Sequence, residues 1–255
     1  MEEHGRNIGF GIDIGGSGIK GARVDLDTGE FVSDRIKVLT PRKSTPANVA
    51  PIIADIVAEA GWTGPFGCTF PGVVRHGVLY SAANLGKAWI GVDFTELVHV
   101  TTGLPAAVMN DADAAGIAEV RFGAAKGRDG VVLLTTLGTG IGTALINDGA
   151  LVPNTELGHL QMHGDSAEKY AASSIKNAEG LSYPEWAKRL QEYYSYVEFL
   201  LSPDVIIVGG GVSRKSDKFL PLISTTAELI PAQLRNTAGI VGAAVIADER
   251  FSESG

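Results

Sequence analysis

The chain has 255 residues, 45% of them hydrophobic and 20% charged, which is enough for one large domain or two of ordinary size. No stretch approaches the roughly 18 apolar residues that a membrane span requires, and a net charge of −8 argues against long-range attraction to nucleic acid. We therefore expect a soluble globular protein that binds neither a membrane nor nucleic acid.

Cysteine usage and the N-terminal residues bear on location. Cys68 is the only cysteine, which excludes an internal disulfide and a cysteine-rich zinc site. The first ten residues, MEEHGRNIGF, contain no basic segment followed by an apolar stretch, so nothing marks the chain for secretion. Both observations predict a reducing, cytoplasmic location.

The first glycine-rich segment, GSGIKG at 16–21, matches the GxGxxG pattern of a dinucleotide site. Such a site needs a helix directly after its third glycine. Here strands are predicted at 8–14 and 19–26 on either side of the glycines, with another at 30–38 after a turn signal. The segment therefore predicts a β-hairpin with its turn at 15–18, and a nicotinamide site is disfavoured.

Residues 133–149 repeat this layout at an offset of 122 positions. The segment GSGI, which begins at Gly16, aligns with GTGI, which begins at Gly138, and a turn signal follows each of them. Chance clustering is the alternative, since glycine makes up 33 of the 255 residues. The coincidence of hydroxyl, glycine and isoleucine in register favours two related halves, each opening with a glycine-turned hairpin.

Strands and helices alternate through the rest of the chain, which predicts an α/β protein in two lobes. Further strands are predicted at 66–70, 105–109 and 131–136, and residues 204–213 predict a buried strand that runs into a triple-glycine turn. Helices are predicted at 46–60, 111–122, 183–201 and 239–249. The helix at 183–201 has the strongest signals, because Ser182 and Glu185 can form a capping box and Pro184 suits the first turn. The apolar residues expected on its buried face are Trp186, Leu190, Tyr193, Val197, Leu200 and Leu201.

Three glycine turns, each after a predicted strand, are the candidate phosphate sites. Glycine lets backbone N–H groups approach a phosphate with no Cβ in the way. One such turn is more often a plain tight turn, but three, two of them with hydroxyl neighbours, favour a polyphosphorylated ligand held between the lobes. The candidate residues are Gly15, Gly16, Ser17, Gly18, Thr136, Gly138, Thr139, Gly140, Gly209, Gly210 and Gly211.

Five segments in order resemble the motifs of the ROK family of sugar kinases. They are the phosphate, catalytic, second phosphate, sugar and adenosine-region motifs, here GIDIGGSGIK (11–20), MNDADAAGIAE (109–119), TTLGTGIGTALI (135–146), ELGH (156–159) and IIVGGGVS (206–213). The resemblance implies an actin-like, ribonuclease H-like fold with duplicated βββαβα halves. It also implies a small lobe at 1–109, joined by the C-terminal helix at 239–250, and a large lobe at 110–238.

Two further segments, NLGKAWIGVDF (84–94) and GDSAEKYAASSIKNAEGLSYPEW (164–186), resemble the members of this family that use inorganic polyphosphate, in some cases also ATP. The resemblance implies transfer of a terminal phosphoryl group to the 6-hydroxyl of glucose, with mannose left open, by a homodimer. The family's cysteine-rich zinc loop is absent after ELGH. We therefore expect no zinc there and a loop held by packing or hydrogen bonds.

The resemblance assigns Asp111 as the general base for the sugar hydroxyl, and a helix N-cap is the alternative role. Asp113 is expected to face solvent or to act as a cap. Asp13 ends the first strand beside the first phosphate turn, where a Mg²⁺ ion bound through water would relieve repulsion of the phosphates. A structural turn aspartate is the alternative for Asp13.

Sugar hydroxyls are bound by amides and carboxylates that donate and accept in matched pairs. By resemblance, Asn110 and Asp111 hold one edge of glucose, Glu156 and His159 another, and Glu168 the anomeric side. The TFPG turn and one asparagine would complete the pocket; these candidates are Thr69, Pro71, Gly72 and Asn84.

The donor stays open at this point. ATP needs an adenine pocket, which the family builds around the third glycine turn and the helix at 183–201, whereas polyphosphate needs a long cationic track. Any single candidate cation can be an ordinary solvated side chain, although Lys87 lies beside the sugar-loop motif. The candidates are Lys20, Lys87, Arg121, Lys169, Lys176, Arg214, Lys215 and Lys218.

Three classes of function compete: a sugar kinase, including an ATP-dependent hexokinase or mannokinase, a ROK sugar-sensing repressor, and an actin-like ATPase. A repressor requires a DNA-reading helix-turn-helix before the first strand, and only seven residues precede Ile8. An ATPase would not need NDAD together with ELGH. We therefore expect a cytoplasmic Mg²⁺-dependent glucokinase whose lobes close over glucose before in-line transfer.

Overall fold

The computed structural model describes residues 7–83 and 85–252. The chain separates into two compact units, Met1–Ala118 with Thr237–Gly255, and Glu119–Asn236. The predicted lobe boundary at 109/110 stays a prediction; the units divide nine residues later, so Asp111 belongs to the first unit. None of the helices among the described residues is long and apolar enough to cross a lipid bilayer.

The secondary structure is mixed α/β, as predicted. The strands are β1 (Ile8–Gly15), β2 (Gly18–Asp25), β3 (Ile36–Val38), β4 (Phe66–Phe70), β5 (Val74–Arg75), β6 (Val78–Leu79), β7 (Ala106–Asn110), β8 (Val131–Leu137), β9 (Ile141–Asn147), β10 (Ala150–Val152), β11 (Gln161–Met162), β12 (Asp165–Ser166), β13 (Val205–Gly209) and β14 (Glu228–Pro231). The helices are α1 (Pro46–Glu59), α2 (Phe94–Thr102), α3 (Asp111–Phe122), α4 (Glu168–Ala171), α5 (Ser173–Ala178), α6 (Tyr183–Leu201) and α7 (Ala238–Ser252).

Each unit is built on a five-stranded sheet, and the two sheets have the same topology. The strand order is β3-β2-β1-β4-β7 in the first unit and β10-β9-β8-β13-β14 in the second. In both, three antiparallel strands are followed by two parallel ones. The central strands are almost wholly buried, as expected for strands covered on both faces. The internal repeat predicted from the glycine segments is therefore a duplicated fold.

In the first unit, α7 lies against the sheet at positions where only glycine fits. A Cβ on Gly11 would lie 2.0 Å from the carbonyl oxygen of Ile240, and one on Gly67 would lie 1.6 Å from that of Ala243. No side-chain rotation relieves contact with a backbone atom. The close approach buries most of the apolar run that begins at Ile240 of α7.

In the second unit, α6 supplies the largest side chains of the core. Trp186, Tyr193 and Tyr194 are fully buried, and Ser182 and Glu185 form the predicted capping box. The prediction that Leu200 shares the buried face is wrong, because it is 46% exposed. The buried stripe follows 3.6-residue spacing along the helix, which leaves Leu200 about 100° away from the next position of the stripe.

One of the strand predictions needs correction, and another is confirmed. The strand expected at 30–38 is continuous only at Ile36–Val38. Phe31 forms an isolated antiparallel bridge with Val24, and the pairing is interrupted at Ser33, whose hydroxyl accepts the N–H of Arg23 in place of a ladder carbonyl. The buried strand expected to run into a triple-glycine turn at 204–213 is confirmed: it ends at Gly209, and a 3₁₀ segment at Gly211–Lys218 follows the glycine turn.

Candidate active site

The first glycine turn is the predicted β-hairpin. Gly15 and Gly18 are paired across a two-residue loop, and Lys20 continues in β2 opposite Asp13. No helix begins after the third glycine of the GxGxxG match. The arrangement that a dinucleotide site of the Rossmann type requires is therefore absent from this segment.

One glycine in each of the three turns has no structural reason to be glycine. A Cβ on Gly16, Gly138 or Gly211 would meet nothing within 4 Å, and none of the three has a positive φ. Gly140 and Gly210 differ, because a Cβ there would clash with neighbouring atoms. At the first three positions the missing side chain leaves open space against the backbone, which is what close approach of a phosphate needs.

Asp13 is held at the end of β1 by two donors. Its Oδ1 accepts from Thr69 Oγ1 at 3.0 Å, and its Oδ2 accepts from Lys20 Nζ at 3.3 Å, with 20% of the side chain exposed. Across residues 7–83 and 85–252, no group of three or more His, Cys, Asp or Glu side chains could hold a metal ion. The Asp13 carboxylate, a hard oxygen group, fits a divalent metal ion that takes its other ligands from phosphates and water.

Asp111 stands at the first position of α3, directly after β7. The neighbouring Asn110 caps this helix, because its Oδ1 accepts the N–H groups of Ala112 at 2.8 Å and Asp113 at 3.0 Å. Asn110 Nδ2 also donates to the carbonyl of Gly72 at 3.1 Å. Asp111 Oδ1 accepts the Ala112 N–H at 2.9 Å, and this half-buried carboxylate is not the sole cap of the helix.

The prediction that Asp113 faces solvent is wrong. Its side chain is 1% exposed, and the residues on either side of it, Ala112 and Ala114, are also buried. The cause is the packing of α3 against α7, in which a Cβ on Gly242 would lie 1.8 Å from the carbonyl oxygen of Ala114. The first turn of α3 is therefore enclosed on the side that the sequence pattern assigns to water.

The TFPG turn lies beside Asn110 in the first unit. Gly72 is required there, because a Cβ would lie 2.3 Å from the carbonyl oxygen of Ser81, and Pro71 accepts the N–H of Ala83. Thr69 is fully buried and donates a hydrogen bond to Asp13, so it supports the residue next to the first glycine turn as well as the TFPG turn. Asn84 lies outside the described residues, and Lys87 is exposed in the 3₁₀ turn Lys87–Trp89.

In the second unit, the structure brings together the three predicted sugar ligands of the ELGH region. His159 Nε2 lies 3.6 Å from Glu156 Oε2, and His159 Nδ1 lies 3.7 Å from Glu168 Oε1. Burial raises the pKa of the Glu156 carboxyl, His159 opposes that shift, and Glu168 adds to it. The cluster presents two carboxylates and an imidazole, a donor and acceptor set that suits a polyhydroxylated ligand.

The second and third glycine turns lie at one edge of the second sheet. Thr136 pairs with Gly142 of β9 on one side and with Gly209 of β13 on the other. Sequence reasoning missed Ser174, whose N–H donates to the carbonyl of Gly138 at 3.0 Å and whose hydroxyl donates to that of Thr139 at 2.6 Å. A serine at the start of a short helix carries no sequence signal for this contact.

The segment after ELGH is held by hydrogen bonds to α6. Between β11 and β12, His163 Nε2 lies 2.7 Å from Glu192 Oε2, and the Tyr170 hydroxyl donates to Glu192 Oε1 at 2.9 Å. The indole N–H of Trp186 donates to the carbonyl of Ala171 at 2.9 Å. These contacts are of the kind expected for a loop without zinc, and the absence of zinc stays a prediction.

The two units have the same α/β fold, and a glycine hairpin opens each of them. This is the actin-like fold, and the structural neighbours of the chain share it. The ROK family model matches residues 9–180, and the chain belongs to this family.

Several similar proteins are sugar kinases. A polyphosphate glucokinase of Mycobacterium tuberculosis is 52% identical over 238 residues, which cover 93% of this chain and 90% of that protein. The crystal structure of the inorganic polyphosphate/ATP-glucomannokinase from Arthrobacter sp. strain KM has a TM-score of 0.92 and 48% identity, covering 96% of this chain and 99% of that one. A ROK family glucokinase from Streptomyces griseus, in complex with glucose and AMPPNP, has a TM-score of 0.82 and 27% identity, covering 95% and 100%.

Proposed function

We propose that this protein is a polyphosphate glucokinase, which transfers the terminal phosphoryl group of inorganic polyphosphate to the 6-hydroxyl of glucose. The observation that carries the proposal is the 52% identity, over 93% of the chain, to a relative with that name. The three glycines that the fold itself does not require, Gly16, Gly138 and Gly211, support a donor that approaches the backbone closely.

In the proposed reaction, Asp111 accepts the proton of the glucose 6-hydroxyl while the oxygen attacks the terminal phosphorus. The bond from that phosphorus to its bridging oxygen breaks, and a polyphosphate one unit shorter leaves. Capping by Asn110 supports this role, because it satisfies the first N–H groups of α3 without relying on Asp111 alone. The helix N-terminus also stabilises the ionised form of Asp111, which is the form a base needs.

We assign sugar binding to groups of each unit separately. In the first unit these are Asn110, Asp111 and the TFPG turn with Thr69, Pro71 and Gly72, together with Asn84. In the second unit Glu156, His159 and Glu168 accept and donate hydrogen bonds to sugar hydroxyls, supported by their mutual contacts.

Phosphoryl transfer in this class needs a divalent metal ion, and we propose Mg²⁺. Asp13 would orient the ion through water beside the first glycine turn, where the ion would neutralise charge on the donor phosphates. Lys20, which is paired with Asp13 on the neighbouring strand, would add positive charge beside the donor phosphates. Lys87 is exposed, which supports a role in binding the polyphosphate donor.

The donor assay tests this function. Purified protein is given glucose and Mg²⁺ with either polyphosphate or ATP, and glucose 6-phosphate and donor are both measured. Polyphosphate should be consumed only when glucose is present, in equal amount to the product formed. Consumption of ATP without glucose would instead indicate an ATPase. Glucose 6-phosphate that forms with ATP but not with polyphosphate would indicate an ATP-dependent hexokinase.

The second candidate function is that of an ATP-dependent hexokinase. One observation favours it, the likeness to the Streptomyces griseus glucokinase, whose structure contains AMPPNP. Use of ATP as a second donor, and mannose as a second acceptor, is proposed on the likeness to the Arthrobacter glucomannokinase.

We also propose a cytoplasmic homodimer. The single cysteine supports the location. The dimer is supported by exposed apolar side chains near the end of α6, where Tyr196, Phe199 and Leu200 are 38%, 82% and 46% exposed. Their spacing places them on one face of the helix.

A further inference from the structure

Two lysines of the second unit converge on one aromatic ring. The ammonium nitrogen of Lys176 lies 4.5 Å from the ring centroid of Tyr183, and that of Lys218 lies 5.7 Å from it. The ring also stacks on Phe219, with 6.2 Å between centroids and 11° between planes. Because Phe219 is fully buried, the position of the tyrosine is fixed by the core of the unit.

Each lysine belongs to a segment attached to a different glycine turn. Lys176 is in α5, two residues after Ser174, whose N–H and hydroxyl bond to the carbonyls of the turn at 138–140. Lys218 ends the 3₁₀ segment that begins at Gly211, directly after the third turn. The two turns are themselves joined, because Thr136 pairs with Gly209. The ring therefore lies where the segments leaving two candidate phosphate turns meet.

We propose that Lys176, Tyr183 and Lys218 form a distal subsite for the polyphosphate chain. This subsite, which we call the lysine-tyrosine subsite, binds phosphates beyond those held at the glycine turns. The inference rests on the proposed function, and it names the residues of the second unit that would distinguish a long polyanion from a shorter donor.

The charges of these groups favour an anion as the ligand. Within residues 7–83 and 85–252, no carboxylate lies at ion-pair distance from Lys176 or Lys218, whereas two other candidate cations, Lys20 and Lys169, are paired with aspartates. Two unpaired ammonium groups on one ring repel each other, and a bridging polyanion relieves that repulsion. In a protein of net charge −8, such a local pair is what a polyanion requires.

The geometry argues against adenine as the occupant of this ring. One face of Tyr183 is stacked on Phe219, and the lysine ammonium groups lie near the ring as cation-π partners. A purine that stacked there would have to displace a cation, whereas a phosphate chain would bind to both cations and could accept from the phenol O–H.

The test compares the double variant Lys176→Ala/Lys218→Ala with wild type and with Lys188→Ala, an exposed lysine on α6. Labelled polyphosphate of long and of very short chain length is titrated without glucose, and KM and kcat are then measured for both lengths and for ATP. Melting temperature checks folding, and Lys176→Arg/Lys218→Arg restores charge if the alanines disturb packing.

The double alanine variant should bind long chains about tenfold more weakly, since each exposed charge contact contributes up to about fivefold. Its kcat, its KM for glucose and its KM for the shortest chain should change by less than about twofold, and the arginine variant should recover long-chain binding. An equal loss of long-chain binding in Lys188→Ala, or unchanged long-chain binding in the double variant, would overturn the proposed subsite. Neither result would contradict the proposed kinase activity. Wild type that neither binds nor uses polyphosphate would remove the proposed function itself.

Discussion

Asn110 and Asp111 are adjacent, yet the structure gives them different contacts. Asn110 uses its oxygen to cap α3 and its amide nitrogen to hold the TFPG turn at Gly72. Each of these groups is buried, so the asparagine is fixed and the start of α3 is fixed with it. Because Asn110 is fixed, the backbone of the adjacent Asp111 is fixed as well. A general base needs to be held in position in this way.

The Glu156 carboxyl offers a test at the same scale. Because its pKa is raised in the folded protein, folding disfavours its ionised form. Relative to Glu156→Gln, wild type should keep its full stability below the ordinary glutamate pKa and lose stability as the pH rises through the raised folded-state value. The melting temperatures of the two proteins, measured from pH 4 to pH 8 without ligand, should diverge in that direction.

Glu59→Gln is the matched control for that comparison, since it removes the charge of a glutamate at the end of α1. A melting-temperature difference between Glu156→Gln and wild type that stayed constant with pH would contradict the role of burial at Glu156.

At the residue scale, the sequence predicted which residues lie at the glycine turns and at the start of α3. It could not assign the cap, because Asn110, Asp111 and Asp113 are all residue types that cap helices. The choice depends on Gly72, a contact 38 positions away in the chain. Burial of Asp113 depends in the same way on α7, which the local pattern does not contain.

At the scale of elements, the glycines of the first unit divide into two kinds. Gly67 admits α7 to the sheet, and its Cβ would overlap the backbone of Ala243. Gly16 faces open space in the first turn. Gly67→Ala should therefore lower stability by about 3 kcal/mol through overpacking, measured by denaturant unfolding.

Gly16→Ala should leave stability unchanged and should raise the KM for the phosphoryl donor, because the new methyl group occupies the approach to the backbone. The paired design separates a glycine needed for packing from one needed for the ligand. Equal stability losses in both variants, or an unchanged donor KM in Gly16→Ala, would contradict the division.

Helix α6 illustrates what could be predicted of an element. Its bounds, 183–201, match the sequence-based prediction, because a capping box fixes the start and apolar spacing continues to the end. The 3₁₀ segment at Gly211–Lys218 was not predicted. Its residues are polar and have no periodic apolar pattern, so its course depends on packing against β8 and β13.

At the scale of the whole molecule, the duplicated halves were predictable from the glycine repeat, but the strand orders were not. Pairing of β1 with β4 joins Gly11 to Gly67, across more than fifty intervening residues. Local patterning contains no information about such partners. The family resemblance implied the arrangement, and the sheets of both units have it.

The proposed homodimer makes a prediction at this scale. Phe199→Asp should convert a dimer into a monomer, because a charge would replace the most exposed apolar side chain of α6 in the buried interface. Leu39→Asp is the control, since Leu39 is 74% exposed and belongs to the first unit. Light scattering measures the molar mass. A monomeric wild type, or a dimeric Phe199→Asp protein, would exclude this interface.

The rate of glucose 6-phosphate formation from polyphosphate by Asp111→Asn tests the central claim most directly. Asparagine preserves the oxygen that accepts the Ala112 N–H, so folding and glucose affinity should be retained while the base is lost. We predict a rate at least about 100-fold below that of wild type at the same glucose occupancy. A rate within a few-fold of wild type would contradict the account, because phosphoryl transfer would then proceed without the carboxylate at the start of α3.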